Sequence, residues 1–110
     1  MISRTWHGRV LAEKADAYQT YLLQTGIADY RHTPGNQGVL VQRRIDGEVA
    51  HFTITTLWES FDAIKRFAGE QYELARYYPD DDAYLLERET YVVHADVLTW
   101  MPPPAEVPQP

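Results

Sequence analysis

The side chains able to do chemistry in this chain are four histidines, eight tyrosines, ten lysines and arginines and sixteen carboxylates, with no cysteine. Disulfides, thiolate nucleophiles and thiolate metal ligands are therefore excluded, and a metal would have to be held by imidazoles and carboxylates. His7, His51 and His94, the last with Asp96 beside it, fall on the polar positions of three segments that alternate in character. If those segments are adjacent strands, the imidazoles stand about 5 Å apart at Cβ, close enough to share a proton or a divalent ion. The competing reading of the same residues is a polar, hydrogen-bonded layer between subunits with no metal. Ser3 and Ser60 lack a glycine-flanked nucleophile turn, and no glycine-rich phosphate loop occurs.

The elements that must position these residues are legible from periodicity. Over residues 2–10, Ile2, Arg4, Trp6, Gly8 and Val10 alternate with Ser3, Thr5, His7 and Arg9, which gives one strand an apolar and a polar face. Val39, Val41 and Ile45 alternate with Gln42 and Arg44. Phe52, Ile54 and Trp58 alternate with His51, Thr53 and Thr55, and Val93 and Val97 with His94 and Asp96. Residues 13–25 follow the first strand, and Leu11, Ala15, Tyr18 and Leu22 form one helical stripe that Gly26 should stop. Turn-forming residues 33–38 lead into the second strand, and Asp46-Gly47 suits a type I′ hairpin to the third.

Ser60 reads as the N-cap of a second helix with Asp62 in its first turn, Phe61, Ile64, Phe67 and Ala68 inward, and Gly69 at its end. Residues 70–78 are expected to add a helical turn before Pro79, and Asp80 to Asp82 to cap a short segment ending at Leu86. The order strand, helix, strand, strand, helix, strand predicts an α+β, ferredoxin-like βαββαβ protomer. Its antiparallel four-stranded sheet should run in the order four, one, three, two with both helices on one face. The apolar parity carrying Trp6, Val39, Phe52, Trp58 and Val93 should lie under the helices, and His7, His51 and His94 on the bare face. Closing two bare faces against each other predicts a homodimer. Residues 1–98 form the domain, and residues 99–110, rich in proline, an extended tail.

A chain with 45% apolar residues and net charge −6 is suited to one folded domain and disfavours a nucleic-acid partner. No apolar run is long enough to span a bilayer and no leader pattern opens the chain, so a soluble, cytoplasmic protein without a membrane partner is expected.

Several segments carry a family resemblance: Gly35-Asn36-Gln37-Gly38-Val39, Leu57-Trp58-Glu59-Ser60, the helix through Ile64 and Phe67, Ala75-Arg76-Tyr77-Tyr78-Pro79, and Val93-His94-Ala95-Asp96-Val97. Over residues 2–98 the chain resembles the antibiotic biosynthesis monooxygenases of the dimeric α+β barrel superfamily. The resemblance implies a ligand cavity between helices and sheet, walled here by Trp6, Tyr18, Tyr21, Leu22, Val39, Phe52, Ile54, Trp58, Phe61, Ile64, Phe67 and Tyr77. Such a lining suits a small apolar or aromatic ligand. It implies cofactor-independent oxidation of a quinol-like compound, in which a base and an anion stabiliser are needed. The candidates are His32, Tyr18, Tyr77 and Arg4. Members of the haem-degrading branch carry an Asn, a Trp and a His at positions corresponding to Trp6, Phe67 and Tyr77, and none of the three matches. Three readings stay open: the oxygenase, a non-catalytic binding or dimerisation module whose aromatic residues are filled core, and a His-metal or haem-binding relative.

Overall fold

The computed structural model describes residues 1–104. Strict alternation makes β1 (Ile2–Leu11) a strand with every second residue buried, and it pairs over its whole length with β3 (Val49–Trp58), from Ile2↔Trp58 to Leu11↔Val49. β2 (Asn36–Asp46) flanks β3 and β4 (Val93–Asp96) flanks β1, all antiparallel, giving the spatial order β2-β3-β1-β4. This is the ferredoxin-like α+β arrangement that the sequence predicts, with the same strand order.

The β2–β3 connection corrects the turn type. Asp46 pairs with Val49, so the loop is Gly47-Glu48. Only Gly47 has positive φ, at 60°, the pattern of a II′ turn rather than the I′ turn that needs two such residues.

The first helical region breaks in two. A 3-10 turn, Ala12–Lys14, leads into α1 (Ala15–Gln24), which buries Ala15, Tyr18 and Leu22. Leu11 belongs to β1 instead of the stripe. Thr25 leaves helical geometry, and its hydroxyl and amide satisfy the Tyr21 carbonyl at 2.8 and 3.1 Å. Gly26 then opens α2 (Gly26–His32), which carries Ile27 and Tyr30 into the core.

In α3 (Phe61–Ala68), Ser60 caps through its hydroxyl, which accepts from the Ala63 N–H at 3.1 Å, and Ala63, Ile64 and Phe67 are buried. Phe61 is 39% exposed. It sits in the first turn and leans towards β4, outside the buried stripe.

Residues 70–78 do not continue the helix. Gly69 exits at φ 83°, and the following amides find partners in the segment before β4: Ala75 donates to Thr90 and Val92 to Glu73, both at 2.9 Å. Those pairings use the groups a helix would bond internally. Asp81 receives the Tyr78 N–H at 2.5 Å and opens a 3-10 turn, Asp81–Ala83. Leu85 and Leu86 then bond along Val10 and Arg9, covering the half of β1 that β4 leaves free.

β4 corrects a parity. Arg4 stands opposite His94 and Thr5 opposite Val93, so His94 faces the helices while Val93, 68% exposed, faces the bare side. In a strand of four residues flanked by Val92 and Val97, two apolar parities compete, and the buried one runs through Val92. Residues 99–104 are exposed and have no regular structure; the remainder of the expected tail lies outside the described residues. Among the described residues no helix is long and apolar enough to cross a membrane.

Gly35, at φ 94°, lies where a Cβ would come within 2.4 Å of the Ala63 Cβ, whereas nothing lies within 4 Å of the corresponding point at Gly47. Gly35→Ala therefore combines a left-handed backbone penalty with a clash against α3 and should cost about 2 kcal/mol or more, and Gly47→Ala about 1 kcal/mol. Urea unfolding midpoints of the two variants check the order.

Candidate functional site

The apolar parity of the sheet, α1, α2 and the segment around Tyr77 converge on one compartment. Its lining is Trp6, Tyr18, Leu22, Gly26, Tyr30, Ile54, Arg76, Tyr77, Tyr78 and Asp81, and its free volume is about 20 Å³. That is room for about one water molecule and far below the ~300 Å³ of an open ligand site. Trp6 lies flat beside Gly8, where any Cβ would approach its ring within 2.3 Å. Its indole N–H points to the Tyr77 hydroxyl at 3.4 Å, which in turn donates to the Glu89 carbonyl at 2.6 Å. Tyr18 is packed edge-on against Phe52, with ring centroids 5.1 Å apart.

Many of the expected wall residues are filled core. Phe52, Trp58, Ile64 and Phe67 are buried outside the lining of the compartment, and the Trp58 indole is satisfied by Thr56 at 2.8 Å. Tyr21 sits at the rim, its hydroxyl accepting from the Asp80 N–H. Phe61 and Val39 lie outside the compartment; Val39 lines a surface groove with Leu23, Ile27 and Arg31. His32, expected at the mouth, is also elsewhere: it is exposed, bonds back to the Ala28 carbonyl at 2.7 Å, and borders a groove on α2.

The candidate cluster of His7, His51 and His94 does not assemble. His7 and His51 stack on the bare face with Nε2 and Nδ1 3.0 Å apart, and the other His7 nitrogen is bonded to the Glu89 carboxylate. Register explains the diagonal contact, since Arg9 and not His7 opposes His51. His94 lies across the sheet under α3, and among the described residues no three His, Cys, Asp or Glu side chains are grouped to hold a metal ion.

Five compartment residues were not among the walls expected from the sequence: Gly26, Tyr30, Arg76, Tyr78 and Asp81. Tyr18, Leu22, Gly26 and Tyr30 are each four apart, a signal that the inward stripe continues past the break. Arg76 spans the Phe67 and Tyr78 rings, with centroids at 4.8 and 5.1 Å, and donates to the Phe67 carbonyl at 3.0 Å. Asp29 receives the Tyr78 hydroxyl at 2.6 Å and lies 3.4 Å from Arg76.

Burial raises the phenols of Tyr18, Tyr30, Tyr77 and Tyr78 above their ordinary value, so at neutral pH they are hydrogen-bond donors and not bases. Asp81, 4% exposed, has its carboxyl raised by burial, against the pull of the Tyr78 N–H and Arg88. A buried carboxylate with a raised pKa is the better proton acceptor of the set.

No family model matches the chain, and no curated protein matches it. Two solved structures are similar in fold. The haem-degrading protein MhuD of Mycobacterium tuberculosis, with two haems bound in its active site, has 17% identity and a TM-score of 0.61 over 93% of this chain and 100% of that one. A mutant of MhuD with two manganese protoporphyrin IX molecules per active site has 16% identity and a TM-score of 0.60 over 94% and 100%. At such identity the likeness is one of fold.

Because folding raises the Asp81 pKa, its ionisation works against the folded state, and that penalty grows as pH rises through the folded value. Asp81→Asn, which keeps an acceptor for the Tyr78 N–H, should be more stable than the parent at pH 7, with the difference shrinking as pH falls towards the carboxylate range. Urea midpoints at pH 7 and pH 4.5 measure it.

Proposed function

We propose that this chain is an oxygenase-type protein of the monooxygenase-like α+β fold. In this reading it takes a flat, acidic aromatic molecule into the compartment between helices and sheet. The observation that carries the reading is the lining: a compartment of this size in an ordinary core would be apolar, yet four phenols, a guanidinium and a nearly inaccessible carboxylate meet there. Entry requires α2 and the segment at Arg76 to Asp81 to part, since the closed volume admits no ring.

Within such a site a phenolic or enolic hydroxyl would give its proton to Asp81, and the tyrosine hydroxyls with Arg76 would hold the resulting oxyanion. The electron-rich ring carbon then gives an electron pair to dioxygen, forming a C–O bond to a peroxide that takes the proton back from Asp81. Loss of water from this hydroperoxide, using the one hydrogen on that carbon and breaking the O–O bond, leaves the carbonyl, so dioxygen accepts four electrons in all. Oxygen-electrode assays with anthrones and hydroquinones should show protein-dependent uptake, falling about 100-fold in Asp81→Asn. Absence of uptake with every compound would leave the dimerisation or binding module.

The fold neighbours favour a second reading, haem binding. The residues of the compartment do not fit an iron porphyrin as they stand: its volume is about 20 Å³, its tyrosines are held protonated, and the one histidine on the helix face, His94, is outside its lining. A haem titration followed in the Soret region separates the readings. A shifted band at one equivalent favours haem, and an unshifted band favours the small aromatic.

The assembly that goes with either reading is a homodimer closed through the bare sheet face, where Leu40 and Val93 are exposed beside Thr53, Thr55, His7 and His51. Sedimentation at micromolar concentration should give twice the 12.7 kDa chain mass, and Thr55→Glu, at the centre of that face, should give the single chain.

A further inference from the structure

Arg4 is 2% exposed and lies beneath α3 and the segment at Leu74. One guanidinium nitrogen donates to the Leu74 carbonyl at 3.1 Å, and the group lies 5.4 Å from the Phe67 centroid. Its Nε–H is buried with no partner, and among the described residues no carboxylate comes within ion-pair distance of it. Burial works against its charge, the Tyr30 and Tyr78 hydroxyls favour it, and the like charge of Arg76, across the same Phe67 ring, opposes it. Directly opposite Arg4 in the β1–β4 ladder stands His94, whose Nε2 is also buried without a partner. The Phe61 and Tyr72 rings enclose it at 5.7 and 5.5 Å. Burial and the neighbouring Arg4 charge lower its pKa, with Glu73 the acidic group that opposes them, which keeps the imidazole neutral.

Two orphaned nitrogens side by side, one on an uncompensated cation, are costly in a core that could hold methionine and leucine at the same positions. A ligand that brings a negative charge and two oxygens removes both defects. We propose that Arg4 and His94 form the recognition site for a carboxylate on the aromatic ligand, one oxygen accepting from Arg4 Nε–H and the other from the His94 imidazole N–H. Arg4 and His94 stand outside the lining of the compartment, behind Tyr30 and Arg76, which line it and also act on the Arg4 charge, so the site rests on the compartment reading given above. The ring body would lie towards Trp6 and the carboxylate towards β4. Both small aromatic acids and the propionates of a porphyrin carry this chemistry.

The test is a titration of the full chain with 2-naphthoate, 2-naphthylmethanol, protoporphyrin IX and its dimethyl ester, followed by heteronuclear NMR and by thermal shift. The expected result is at least tenfold tighter binding of an acid than of its neutral counterpart. That preference should disappear in Arg4→Met and in His94→Phe, with Arg4→Met melting higher than the parent when no ligand is present. Preference confined to the naphthyl pair assigns the carboxylate to a small acid, and preference confined to the porphyrin pair assigns it to propionates. Equal binding of acids and neutral forms overturns the proposal and leaves the compartment reading intact, whereas no binding of any probe sinks both. If Arg4→Met does not fold, His94→Phe decides, and an unchanged preference there overturns the carboxylate site.

Discussion

The register between β1 and β3 governs everything else in this molecule. Ten consecutive pairs hold Trp6 against Ile54 and Gly8 against Phe52, and a slip of one residue would put Phe52, Ile54 and Trp58 on the opposite face from Trp6 and bring His51, Thr53 and Thr55 under the helices. The buried area of those aromatic side chains supplies the driving force for so small a domain. The same register decides which chemistry can meet. It puts Arg4 and Trp6 inside and pairs Arg9, not His7, with His51.

What the sequence made legible follows from how strongly each segment is constrained. β1 and β3 alternate over ten residues, so their faces could be read, and the order of elements with right-handed crossovers placed them side by side without fixing their register. The Ser60 cap and the glycine at the end of α3 are local signals that need no tertiary information. β4 has only four residues in which apolar side chains fall on both parities, and there local pattern cannot choose between His94 inward and Val93 inward. Residues 70–92 were equally opaque, because their backbone groups are satisfied by one another and by β1 at a sequence distance that no periodicity reports.

The candidate site shows the same division. Aromatic residues at core spacing were visible, and most proved to be close-packed core. Tyr18 and Tyr77 were visible, but the other polar members came from the unreadable parts: Tyr30 from a helix restarted after Thr25, and Arg76, Tyr78 and Asp81 from the irregular crossover. The location between helices and sheet could thus be inferred from periodic elements, but its charge could not. Arg4 is the exception, a charged residue on an otherwise apolar parity, visible because β1 is so regular.

The crossover that lies along β1 has a further consequence for the sheet as a whole. β4 bonds four residues of β1, and Leu85 and Leu86 occupy the adjoining stretch, leaving β2 as the long open margin. That margin carries Arg43 and Arg44 and a register shift between Asn36 and Gly38, devices that discourage an incoming strand. Lateral growth into an extended ribbon is thereby opposed on one side by the chain's own irregular strip and on the other by charge and a kink, which leaves the broad surface of the sheet as its uncovered face.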